Sequence, residues 1–198
     1  MGAIFQSLGR TITAGVVLLL LVIGIVAATG PVSVNLGSHV WWAFLMRWLH
    51  VLCGVMWVGL LWYFNFVQTP SMPKIPDAEK PAVTKVIAPT ALFWFRHAAL
   101  WTVITGLTVA TMNGYIGSLV SFARPHTAIA IGMWLAIFMA FNVWFIIWPN
   151  QQKALGLVTV EPDVKAKAAR VAGMTSRFNT MLSIPMLYCM VAQQNGGL

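Results

Sequence analysis

The chain has 198 residues, of which 59% are hydrophobic and only 8% charged, with a formal net charge of +8. That composition excludes an ordinary soluble domain and places the sequence among polytopic membrane proteins. The basic excess follows particular loops and helix starts, so it is a topology signal and no nucleic-acid footprint.

A transmembrane helix needs about 20 apolar residues, and the sequence predicts five such segments, at 12–29, 40–67, 90–112, 125–148 and 176–193. Ahead of the first, Arg10 precedes an apolar run ending in Ala27-Ala28-Thr29-Gly30. This is the pattern of a signal peptide, and we read it as a retained signal anchor. Gly30-Pro31 is predicted to end it, and Ser38 suits the N-cap of the second helix. That second helix outruns the bilayer, so it must tilt or protrude. Pro70, Pro73 and Pro76 are expected to break it into the connection 69–89. Pro89 and Pro125 suit the first turns of the third and fourth helices, and Pro149 is expected to stop the fourth. Within the connection 149–175, Pro162 to Gly173 reads as a basic surface helix feeding the fifth span, which Pro185 should kink. The expectation is a single membrane domain over 1–198, an all-α polytopic helical bundle of five transmembrane helices.

Arg10, Lys74, Lys80, Lys85, Lys153, Lys165, Lys167 and Arg170 fall on one side of this arrangement, against only Arg47 and Arg124 on the other. By the positive-inside rule the N-terminus and both long connections are cytoplasmic. The two connections resemble each other: Pro76-Asp77 is followed by Lys80 and Lys85, and Pro162-Asp163 by Lys165 and Lys167. Each joins a helix with an early histidine (His50, His126) to one with an early arginine (Arg96, Arg177). A duplicated hairpin forming a four-helix bundle would give this pattern; so would topology acting on two unrelated loops. Most of the ten tryptophans fall where an aromatic belt is expected, whereas Trp57, Trp101 and Trp134 lie deeper, for packing or for a flat cofactor.

The four acids (Asp77, Glu79, Glu161, Asp163) all lie in the two connections. An ionisable residue inside a membrane helix is expensive and marks a functional site by default, and His50 has no membrane carboxylate to pair with. A metal, a haem iron or an anionic ligand remains. Neutral imidazole is the ligand for b-type haem, and helical bundles build such sites from facing helices. His50 and His126 match best in depth as the two iron ligands, with His97 on the cytoplasmic half as the alternative; His39 reads as interfacial. Arg47 shares a helical face with His50, where it either binds a haem propionate or an anionic substrate, or snorkels outward. Arg96 either snorkels inward or caps an internal anion site. Asn142 and Asn179 are amides that can bond a substrate or a neighbouring helix. Cys53 and Cys189 read as packing residues, no disulfide is expected between them, and no Cys-x-x-Cys-His occurs for c-type haem.

Three stretches carry a family resemblance: Arg47-Trp48-Leu49-His50-Val51-Leu52-Cys53-Gly54-Val55-Met56-Trp57-Val58-Gly59, Phe141-Asn142-Val143-Trp144-Phe145-Ile146-Ile147-Trp148-Pro149-Asn150-Gln151, and Arg177-Phe178-Asn179-Thr180-Met181-Leu182-Ser183-Ile184-Pro185-Met186-Leu187. Together they resemble the membrane domain of the bacterial membrane-bound urate hydroxylase family. The first stretch is also similar to membrane protoporphyrinogen oxidases and copper-resistance membrane proteins, whose short bundles include haem-b binders. The resemblance implies a multi-pass protein of the bacterial inner membrane that hydroxylates urate with water and passes electrons to a C-terminal cytochrome c domain. The 198 residues hold no such domain, so the expected acceptor is a separate cytochrome or a larger membrane complex. The leading expectation is a urate hydroxylase-like membrane oxidoreductase binding haem b. A non-catalytic accessory subunit of a larger oxidase or oxygenase is the alternative, and a transporter is disfavoured by the short chain and the lack of an ion pathway.

Overall fold

The computed structural model describes residues 2–30 and 35–197, and among these the only regular structure is helical. Two compact units divide the chain, 1–42 and 43–198. In the first, the short α1 (Gly2–Phe5) precedes α2 (Leu8–Thr29), none of whose side chains is buried. The hydroxyls of Thr13 and Thr29 are satisfied inside α2: Thr13 Oγ1 donates to the Gly9 carbonyl at 3.0 Å, and Thr29 Oγ1 to that of Ile25 at 2.8 Å. A helix apolar on all sides, with intrahelical partners for its hydroxyls, is suited to hydrocarbon surroundings. The predicted stop at Pro31 lies outside the described residues. Next comes α3 (His39–Trp62), which begins as expected: Ser38 Oγ accepts the Trp41 N–H at 3.1 Å.

The second unit takes α3 from Ala43 onward, then α4 (Thr69–Ser71), α5 (Ala88–Met112), α6 (Ile116–Ser121), α7 (Thr127–Phe141), α8 (Trp148–Ala154) and α9 (Pro162–Asn195). Wider π-helical turns lie at Tyr63–Gln68, Ala82–Ile87 and Asn142–Ile147. Each ends just before a proline. The N–H of Thr69, Ala88 and Trp148 bonds back five residues, to the carbonyls of Phe64, Val83 and Val143, and Pro70, Pro89 and Pro149 follow directly. A proline inside a helix lacks a donor and clashes with the carbonyl four residues back. Widening the preceding turn removes that conflict without ending the helix. For this reason Pro70 and Pro149 are not the stops the sequence predicts, and the helical stretches run on to Lys74 and Ala154. The predicted surface helix and fifth span are likewise one continuous helix, α9.

Among the described residues, three helical stretches are long and apolar enough to cross a membrane: Leu8–Thr29, His39–Lys74 and Thr127–Ala154. They contain the first and second predicted spans and all but residues 125–126 of the fourth. The third and fifth lie in α5 and α9, which have 25 and 34 residues and a more polar composition.

The tightest pairing is α7 against α9, and small residues make it. On α7, Ala128, Gly132, Ala136 and Ala140 are buried; on α9, Ser183, Cys189 and Ala192 are. A Cβ at Gly132 would stand 3.1 Å from the Cβ of Cys189 and 3.4 Å from the Met186 carbonyl oxygen. Large side chains point the other way: Ile131, Trp134, Phe138, Phe141 and Phe145 form an exposed stripe at helical spacing. Small residues between helices and bulky apolar ones outward is how helices pack in lipid, where close backbone approach replaces the hydrophobic effect.

Candidate functional site

A cavity of about 560 Å³ lies in the second unit among α3, α5, α7 and α9. That volume is within the roughly 300–1,000 Å³ of small-molecule sites. Its walls are chiefly apolar, and Arg47 is the only charged residue among them. Along α3 the lining residues include Arg47, His50, Gly54, Trp57 and Val58, the succession that one helical face presents, with Val51, Val55 and Gly59 beside them.

His50 is held from α5. Its Nδ1 lies 2.9 Å from the Thr102 carbonyl oxygen, so Nδ1–H donates there, and the Thr105 hydroxyl is 3.4 Å from the same nitrogen. The ring rests on Gly106, where any Cβ would come 2.8 Å from His50 Cε1. The only residue type that admits the imidazole at this distance is glycine. With Nδ1–H committed to a carbonyl, Nε2 keeps its lone pair, and among the described residues none hydrogen-bonds to it. A backbone carbonyl on the far nitrogen is the usual device for fixing the tautomer and orientation of a metal-ligating histidine.

At the same end of the cavity Arg47 is joined by Tyr115, from the connection between α5 and α6, and by Gln194 of α9. Burial pushes the Tyr115 phenol up from its usual pKa, while the Arg47 guanidinium opposes that shift by charge and hydrogen bonding. Polar recognition is therefore concentrated at one edge of an apolar chamber. Farther along, Trp57 is fully buried in the cavity wall and its indole N–H has no partner. An unpaired buried donor costs about 1–3 kcal/mol, so it calls for an explanation.

The other predicted residues fall elsewhere. His126 caps α7, stacks on Tyr115 at 5.0 Å and does not line the cavity; its Nδ1 is buried without a partner. His97 also stays outside, with Nδ1 on the Phe93 carbonyl at 2.8 Å and its ring against Phe93 and Trp144. Arg96 lies flat over Trp148, 3.9 Å from the ring centroid, with Nη1 buried and unpaired. Asn142 and Asn179 are brought together, Nδ2 of the first donating to Oδ1 of the second at 2.8 Å, and Asn179 Nδ2 donating to the Met139 carbonyl at 2.9 Å. Those amides fasten α9 to the end of α7. Both cysteines are free thiols. Sequence reasoning passed over Thr102, Gly106, Tyr115 and the methionines Met133, Met186 and Met190, which line the wall formed by α7 and α9. The signal that could have found the first two is the run Thr102–Gly106, a small-residue patch with hydroxyls on a helix long enough to span.

Among the described residues no three of His, Cys, Asp and Glu assemble into a metal site. An iron whose other ligands come from a porphyrin would need only one or two donors from the protein, and the His50 imidazole could serve as one. The apolar walls with a basic edge also match a macrocycle that carries its acid groups along one side. On these observations the cavity fits b-type haem.

The fold and site define an all-helical chain with membrane-length helices around a cavity that presents one oriented imidazole. Residues 116–196, about two-fifths of the chain, match the family model described as Urate oxidase N-terminal, so this part is similar to that family. The match contains two of the three stretches that carry the resemblance, Phe141–Gln151 and Arg177–Leu187, and leaves out His50. No curated protein and no solved structure matches the chain.

Proposed function

We propose that this protein is a membrane oxidoreductase related to urate-oxidising enzymes, with haem b in the four-helix cavity and His50 as its axial ligand. The observation that carries the reading is the Nδ1–H bond from His50 to the Thr102 carbonyl at 2.9 Å, which leaves Nε2 free on a ring lining the cavity. Arg47, with Tyr115 beside it, would hold the propionates. Haem b supplies a one-electron store whose potential follows from its axial ligand, burial and hydrogen bonds.

In this reading α2, α3, α5, α7 and α9 all cross the bacterial inner membrane, with the N-terminus and the basic connections in the cytoplasm. The wholly unburied α2 and the outward stripe on α7 support it. The likeness to urate oxidase comes from residues 116–196, which supply two of the four helices around the cavity, α7 and α9, so oxidation of a purine is the reaction we assign. Water would be the oxygen donor, and a separate redox partner would take the electrons.

A pyridine haemochrome spectrum of the purified, folded protein tests the cofactor. A haem b spectrum that His50→Ala abolishes is expected; a folded protein devoid of Soret absorbance overturns it. Urate-dependent reduction of an artificial electron dye by membranes containing the chain tests the reaction. Haem without that activity would favour the accessory-subunit reading.

A further inference from the structure

A haem iron has two axial positions, and His50 fills one of them in the haem reading. The walls of the cavity limit what can fill the other. Among the described residues, no second histidine, no cysteine and no carboxylate lines it. The remaining lining side chains with a donor for iron are Met133, Met186, Met190 and Tyr115. The Tyr115 phenol is engaged by hydrogen bonding with the Arg47 guanidinium. What is left is the wall of thioethers on α7 and α9, and a thioether is a neutral, soft donor.

Register and burial single out one of the three. Trp62 Nε1 donates to Ser183 Oγ at 2.9 Å and Asn65 Nδ2 to Ser176 Oγ at 2.8 Å, so α3 and its π-helical continuation run antiparallel to α9. Helices rise about 1.5 Å per residue, and equal steps from these two bonds put His50 opposite residues 191–195. Met190 borders that stretch, on the cavity face that also carries Met186 and Gln194 at four-residue spacing. Met186 lies one turn farther in and is a buried member of the core cluster of Trp57, Leu61 and Met139. Met133 is likewise buried, in the cluster of Ala110, Leu119 and Ala130. Met190 packs against the edges of both clusters and is only part-buried, so it keeps open surface. Its unbranched side chain has three rotatable bonds with which to turn the sulfur.

We propose that the Met190 thioether is the second axial ligand, on the side of the macrocycle opposite His50. The proposal rests on the haem reading and deepens it by completing the ligand set. Histidine–methionine ligation raises the potential of a haem, because a thioether favours iron(II) over iron(III). A centre that must accept electrons from a purine is served by that shift. Two protein ligands also leave the iron no open position, which makes the cavity a site of electron transfer and not of dioxygen binding.

The test is near-infrared absorption and magnetic circular dichroism of the whole ferric protein in lipid nanodiscs. Wild type should show the charge-transfer band of a thioether on low-spin iron(III). Met190→Leu, a swap of similar volume, should keep its haem on His50, lose that band, turn high-spin and shift to a lower midpoint potential. Met190→His should also lose the band but stay low-spin. Met133→Leu and Met186→Leu should leave the band in place. Haem-loaded wild type without the band, or a band that survives in Met190→Leu, overturns the proposal and leaves haem on His50 standing. Loss of the band in Met133→Leu or Met186→Leu but not in Met190→Leu overturns the choice of residue. If Met190→Leu fails to fold, Met190→His decides, and a band retained there overturns the proposal. A folded wild type with no haem in its pyridine haemochrome spectrum sinks the cofactor reading and this ligand together.

Discussion

The imidazole of His50 lies against the backbone of Gly106: a Cβ built on Gly106 would come within 2.8 Å of His50 Cε1 and 3.0 Å of Nδ1. The contact joins α3 to α5 at the point where the ring bonds the Thr102 carbonyl.

Gly106→Ala therefore sets two effects against each other. Alanine favours a helix interior by about 1 kcal/mol over glycine, yet the methyl group must push the imidazole off its carbonyl. Haem content should fall several-fold while the melting temperature changes little. Gly173→Ala, on α9 away from the cavity and where a Cβ meets nothing within 4 Å, is the control and should keep full haem content. Equal haem content in the two variants would refute the seat assigned to His50.

His50 can be removed without emptying a tightly packed core, since it is half-buried and lines a cavity. His50→Ala should lose the haem absorbance and keep its helical circular dichroism. His126→Ala, outside the cavity, should keep the absorbance. Retention of haem in the first variant and loss in the second would exchange their roles.

The helices were legible because apolar runs and polar connections are read directly from residue order. The prolines were misread at two places for a definite reason: rules for proline in an α-helix do not anticipate that a wider turn ahead of Pro70 or Pro149 absorbs the clash. The site was legible in part. A histidine alone in an apolar helix and an arginine one turn away could be singled out, and the structure brings both to one cavity. What faces them could not be deduced, because Gly106 and Tyr115 reach His50 and Arg47 only through the register of packed helices. Depth was an insufficient guide to pairing: His126 was matched to His50 by depth, but its ring turns toward Tyr115.

Asn142 and Asn179 should behave as fasteners between helices. Asn179→Ala removes two hydrogen bonds and strands the Asn142 amide in a buried site, for a destabilisation of about 1–3 kcal/mol. Asn142→Ala removes only one of the two and should cost less. Because the residues share a bond, the double variant should be less destabilised than the sum of the singles. Thermal unfolding of the detergent-solubilised protein measures all three. A loss of urate turnover at unchanged melting temperature would instead place these amides at the substrate.

At Gly132, α7 lies close against α9. Gly132→Val adds a branched side chain where even a single Cβ stands 3.1 Å from Cys189 Cβ. Overpacking of this kind typically costs about 1–3 kcal/mol, and a lower melting temperature is expected. No change would mean that the two helices are not held at this distance.

Arg47 and Tyr115 give the cavity's polar edge a pH signature. Burial raises the Tyr115 pKa, and Arg47 pulls it back by favouring the phenolate. Removing the guanidinium leaves burial unopposed, so Arg47→Gln should move the Tyr115 titration to still higher pH. Arg47→Lys keeps a charge but not the forked donor geometry, and should fall between the two. Tyrosinate absorbance followed against pH, with Tyr115→Phe subtracted to isolate this residue, reads the shift. If Arg47 also holds the acid groups of a bound macrocycle, Arg47→Gln should lower haem retention in the same preparation while Tyr115→Phe, which keeps the guanidinium, lowers it less. A Tyr115 titration indifferent to Arg47 would separate the two side chains and remove the basic edge from the site.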